Sequence, residues 1–80
     1  MLRISIISPE ATLFEGESAS VVAPAFDGEV GILTGHAPMV TVLGTGVLRV
    51  GDGPSFTVAG GFLQVVDNQV RVVTERASKA

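Results

Sequence analysis

The sequence predicts an all-β fold, a sandwich or a small barrel, and three observations carry that prediction. Thirteen Val, four Ile and six Thr stand among 80 residues, and their restricted side-chain torsions favour extended backbone. Ten Gly and four Pro leave no uninterrupted run beyond eight residues before position 62, so a helix of ordinary length has almost no room there. Turn signals recur every 6 to 12 residues between short alternating segments, the spacing of a sandwich or barrel. The final run, 62–80, is long enough for a helix. Its Val65, Val66, Val70, Val72 and Val73 instead read as two strands about an Asp67-Asn68 turn.

Each element follows from local pattern. Leu2, Ile4 and Ile6 share one face of a first strand, with Arg3 and Ser5 toward water. Ser8-Pro9-Glu10 breaks it. Residues 12–15 resume toward Gly16, where Glu15 and Glu17 flank a glycine in a hairpin, a solvated pair of charges. Residues 18–22 form the next strand, closed by Pro24, and Phe26-Asp27-Gly28 turns the chain. Residues 28–39 read as a glycine-rich loop. Residues 39–43 and 47–50 flank Gly44-Thr45-Gly46, spaced like a hairpin. Gly51-Asp52-Gly53-Pro54 turns again before 55–59. Gly60-Gly61, between two strand patterns, reads as a bulge or a close backbone approach. Residues 77–80 read as a frayed tail.

Size and charge narrow the function. Eighty residues make one domain with a folded surface of roughly 4,500 Å², enough for one core and too little for a deep, dry active site as well. An apolar fraction of 46% with only 16% charged residues excludes disorder. A net charge of −3 with no Trp or Tyr argues against nucleic-acid binding. With no Cys there are no disulfides or thiolate metal sites. The N-terminus lacks the charged start and apolar run of a signal peptide. Residues 30–48 carry no Asp, Glu, Lys or Arg, but their four Gly and Pro38 would leave unbonded backbone in hydrocarbon. The stretch reads as buried or interfacial in a soluble protein.

No catalytic constellation stands out. His36 is the only His, the carboxylates do not cluster at ligand spacing, and no nucleophile elbow precedes a helix. No catalytic residue, metal ligand or cofactor is assigned. Gly44-Thr45-Gly46 and Gly51-Asp52-Gly53 precede no helix and cannot cradle phosphate. A carrier domain of biotinyl or lipoyl type needs a Lys on a hairpin tip, and the one Lys is Lys79 near the end. A generic protein-binding sandwich remains an alternative. The segment that stands apart holds the only His beside three Gly and a Pro within residues 28–39. Glycine lets another backbone approach, and loops on rigid β scaffolds often carry binding.

That segment, Gly28-Glu29-Val30-Gly31-Ile32-Leu33-Thr34-Gly35-His36-Ala37-Pro38-Met39, resembles the signature loop of the epsilon subunits of bacterial F-type ATP synthases, with Thr34 where Pro is frequent. Gly60-Gly61-Phe62-Leu63-Gln64-Val65, followed by Asn68 and Val70, is similar to a second family motif. Ile7-Ser8-Pro9-Glu10 and Phe14-Glu15-Gly16 fit the family's opening strands. The likeness spans residues 2–77.

The resemblance implies a ten-stranded β-sandwich of two five-stranded sheets over residues 1–77, with 78–80 as a tail. It implies a non-catalytic rotor part of the central stalk, peripheral on the cytoplasmic face of the bacterial inner membrane. There it binds the gamma subunit and sits on the polar loops of the c-subunit ring, clamping them so that proton-driven rotation turns the stalk. By position, Ser8, His36 and Thr41 match the gamma contact, and Gly28, Glu29 and Gly31 the loop facing the c ring. The family's inhibitory C-terminal helices have no counterpart up to Ala80. Two standard contacts of about 800 Å² per partner would cover roughly a third of the surface. The uncharged 30–48 stretch is expected to form part of the gamma-facing side, and Gly31→Val to harm folding or docking if the backbone there needs a glycine conformation.

Overall fold

Alternating side chains build two sheets whose apolar faces meet. The computed structural model describes residues 1–80, and ten strands follow one another with no helix. They are β1 (Leu2–Ile7), β2 (Thr12–Ser18), β3 (Ser20–Ala25), β4 (Gly28–Leu33), β5 (Met39–Val42), β6 (Thr45–Val50), β7 (Ser55–Ala59), β8 (Phe62–Val66), β9 (Gln69–Val73) and β10 (Arg76–Lys79). The first sheet has the order β2-β1-β9-β8-β5 and the second β10-β7-β6-β3-β4. This is the sandwich of two five-stranded sheets that the resemblance implies. Its surface of 4571 Å² matches the size expected from chain length.

The core lies between the sheets. Leu2, Ile4, Ile6, Leu63, Val65, Val70 and Val72 point inward from the first sheet, and Val21, Ala23, Ile32, Leu48, Val50, Phe56 and Val58 from the second. Each fully buried Val, Leu or Ile contributes about 1.5–3 kcal/mol. Phe14 on β2 reaches Phe56 on β7 in a tilted pair with centroids 6.1 Å apart.

Turn chemistry sets the registers. Asp67 and Asn68 both have positive φ, 49° and 63°, as a tight two-residue hairpin between β8 and β9 requires. At Gly60-Gly61 the chain leaves the second sheet for the first, and both glycines have positive φ. A Cβ on Gly61 would collide with the Val73 carbonyl, so the close approach predicted there is real.

Five expectations are corrected. Gly44-Thr45-Gly46 is no hairpin, because β5 and β6 lie in different sheets. Leu43 N–H donates to Gly61 O and Gly44 N–H to Pro24 O, both at 2.9 Å, and these bonds carry the chain across. Pro24 does not close its strand. Its carbonyl points toward Gly44 and away from β4, and its nitrogen faces the same side, so the missing N–H takes nothing from the β3–β4 ladder. Gly16 sits mid-strand opposite Ile4, where the Phe14 ring lies over it. Residues 28–33 of the expected loop are strand β4. Residues 77–80 do not fray: Arg76–Lys79 pair with β7, and Ala80 N–H donates to Ser55 O at 2.9 Å.

Candidate docking surface

Four edge strands bound the two sheets. An exposed edge invites pairing with another chain, and charges are the usual protection. Two edges have them: exposed Glu15 and Glu17 on β2, and exposed Arg76 and Lys79 on β10. The other two, β4 and β5, carry Glu29 alone.

These less charged edges lie beside each other, one from each sheet. At one end Phe26 N–H donates to Val42 O at 3.1 Å and Ala25 bridges Leu43. At the other end residues 34–38 join Leu33 to Met39. Around this side stand Phe26, Val40, Leu33 and Val42, exposed by 71%, 68%, 65% and 57%. Apart from Met1, no large apolar side chain is as exposed. Val42 begins a row across the outer face of the first sheet, where the register aligns it with Phe62, Val73 and Ile7. The sequence pattern assigned no face to the β5 side chains; in the structure Met39 and Thr41 are half-buried and both valines face outward.

The residues singled out for binding fall in three places. Gly28, Glu29 and Gly31 are exposed on β4. Glu29 borders an open groove of about 300 Å³ with Val22, Val47 and Arg49. Gly31 does not need a glycine conformation: its φ is not positive, and a Cβ there would meet nothing within 4 Å. Thr41 is half-buried on β5, opposite Leu63.

His36 is half-buried in the 34–38 loop, its N–H bonded to Leu33 O at 3.0 Å and its Nδ1 paired with Ala37 O at 2.7 Å. Ser8 is buried and serves its own turn, its Oγ donating to Ala11 O at 3.2 Å and accepting Ala11 N–H at 3.3 Å. Thr41 and His36 therefore share the β5 side. Ser8 lies three strands from β5, roughly 14 Å away, at the end of β1 opposite His36.

No three His, Cys, Asp or Glu side chains converge, and the surface depressions are open grooves. One, also about 300 Å³, is lined by Arg3, Ser5, Glu15, Gln69 and Arg71. No helix is long and apolar enough to cross a membrane.

Known proteins resemble this chain along its whole length. The family model described as ATP synthase, Delta/Epsilon chain, beta-sandwich domain matches residues 1–80. An ATP synthase epsilon chain of Synechococcus sp. (strain JA-2-3B'a(2-13)) is 43% identical over 98% of this chain and 59% of its own length. That of Leptospira borgpetersenii is 44% identical over 96% of this chain and 63% of its own length. The chain thus spans about six-tenths of these relatives. A chain in the Euglena gracilis mitochondrial ATP synthase structure (OSCP/F1/c-ring, rotational state 1) superposes with a TM-score of 0.88 at 26% identity, covering 98% of this chain and 52% of that one. A chain in the Tetrahymena thermophila mitochondrial ATP synthase central stalk and c-ring shares the fold, with a TM-score of 0.81 at 18% identity over 96% of this chain and 65% of its own.

Proposed function

The chain belongs to the family of ATP synthase delta/epsilon chain β-sandwich domains, and from that premise we propose that it is a non-catalytic, epsilon-type component of the central stalk. It binds the gamma subunit along the β5 side, through Thr41, His36 and the exposed Val40 and Val42, with the Ser8 turn at the margin of that contact. It meets the polar loops of the c-subunit ring through Gly28, Glu29 and Gly31 on β4. Clamped between the two, it passes proton-driven ring rotation to the stalk, on the cytoplasmic face of the bacterial inner membrane.

The observation that carries this reading is the pair of neighbouring edges with a single charge between them, ringed by four of the five most exposed large apolar side chains. Such a side buries well against a partner and poorly against water. The test is calorimetric titration of this chain into its cognate gamma subunit. A dissociation constant near micromolar or tighter, about −8 kcal/mol, supports the assignment. Absence of heat and of co-elution, with both proteins folded, overturns the gamma contact.

A further inference from the structure

Asn68 joins two parts of the molecule that the sequence keeps far apart. Its side-chain Oδ1 accepts the Gly35 N–H at 2.6 Å across 33 residues. Its own carbonyl accepts the Arg3 N–H at 2.8 Å. One residue in the β8–β9 turn therefore ties the start of β1 to the loop that carries His36. It also spans the two segments on which the sequence resemblance rests, 28–39 and 60–70.

The loop has few other restraints. Gly35 has a φ of +86°, its surroundings are open, and Thr34, Gly35, Ala37 and Pro38 are exposed. Within it, His36 bonds only to Leu33 and Ala37, bonds that shape the turn without fixing it to the sandwich. The Asn68 bond is the one that anchors it to the first sheet. Few residue types suit position 68. A φ of 63° favours Gly, Asn or Asp, and of these only Asn and Asp carry an acceptor beyond the backbone.

We propose that Asn68 is a positioning residue for docking: it holds the 34–38 loop in the shape that presents His36 to the partner on the β5 side. The inference rests on the gamma-binding reading above and deepens it. Ordering the loop before the encounter lowers the entropy cost of binding, so loss of the bond weakens affinity without a contact at the partner itself.

The test uses Asn68→Gly and Asn68→Asp in the 80-residue chain. Asn68→Gly leaves Asp-Gly, a preferred pair for a hairpin turn with two positive φ values, so the fold survives and only the acceptor is lost. Amide exchange at Gly35 is then expected to quicken, and affinity for gamma to weaken, each by about threefold to tenfold, the size of one hydrogen bond. The melting temperature stays within a few degrees. Asn68→Asp, which keeps an acceptor, restores both values toward the parent chain. Unchanged Gly35 exchange in Asn68→Gly overturns the clamp, and faster exchange with unchanged affinity overturns its role in docking. Failure of the parent chain to bind gamma overturns the docking reading and this role together, a result told apart by its appearance without any substitution.

Discussion

Replacing Gly31 by Val separates folding from docking. Gly31 lies on β4 opposite Val22, exposed, with no positive φ and nothing within 4 Å of the place a Cβ would occupy. The strand gains a β-branched residue and loses backbone freedom in the unfolded chain, a change worth up to about 1 kcal/mol in its favour. For a domain of this size that is a rise in melting temperature of up to about 4–8 °C. If the c ring packs against β4, an isopropyl group forced into that contact acts like overpacking, about 1–3 kcal/mol. Affinity then falls roughly 5-fold to 150-fold. The assays are thermal unfolding by circular dichroism, and binding of the gamma-bound chain to immobilised c ring in detergent. A melting temperature lower by more than about 5 °C would refute the geometry read at Gly31. Unchanged ring affinity would refute its place in the contact.

Other substitutions probe the remaining parts of the surface. Glu29→Lys, in the groove beside Arg49, is expected to weaken ring binding and alter its salt dependence while gamma affinity holds within about twofold; titrations at two ionic strengths check this, and loss of both affinities means the roles are misassigned. Val40→Lys places a charge on an edge that has none, leaving unfolding unchanged and weakening gamma binding at least about tenfold, whereas Glu15→Lys on β2 leaves both unfolding and gamma binding unchanged; equal effects from the two would refute the choice of side. Gly61→Ala adds a Cβ at a φ of +101°, against the Val73 carbonyl. Positive φ and displaced backbone together cost about 3 kcal/mol or more, against a total stability of about 4–12 kcal/mol. Chemical denaturation reads the loss, and a midpoint near that of the parent chain would show that the crossing yields.

What was legible in the sequence was local. Asp67-Asn68 announced its hairpin because both residues tolerate positive φ, and Leu2, Ile4 and Ile6 announced their inward face by period. Gly44-Thr45-Gly46 misled because glycines at that spacing suit a reversal within one sheet and a crossing between two equally well. The deciding bonds run to Pro24 and Gly61, far along the chain. Pro24 misled for a related reason: whether a proline breaks a strand depends on which side its nitrogen faces, and pairing sets that. Residues 77–80, Ala-Ser-Lys-Ala, gave no apolar alternation, and it is pairing with β7 that makes Arg76–Lys79 a strand. In the docking surface, the 28–39 segment drew notice through its glycines and His36. The exposed valines of β5 did not, since burial is fixed by the neighbouring sheet and not by residue type.

An edge without charges and with apolar neighbours is ordinarily an aggregation hazard, and the geometry of β5 explains how this one is contained. Leu43 N–H points to Gly61 on the β8 side. By alternation, Met39 and Thr41 also direct their main-chain groups to β8, while Val40 and Val42 direct theirs outward. The Val42 carbonyl is already taken by Phe26 N–H. Only the Val40 N–H and C=O and the Val42 N–H stay open, too short a template for an added strand. One end of β5 is closed by the β3–β4 hairpin tip, and the other continues into the loop anchored by Asn68. Strand addition is thereby discouraged, while the side chains of Val40 and Val42 remain fully offered. A partner on this side is recognised by packing against side chains, which is why a charge at Val40 is the more telling perturbation than any change to the backbone.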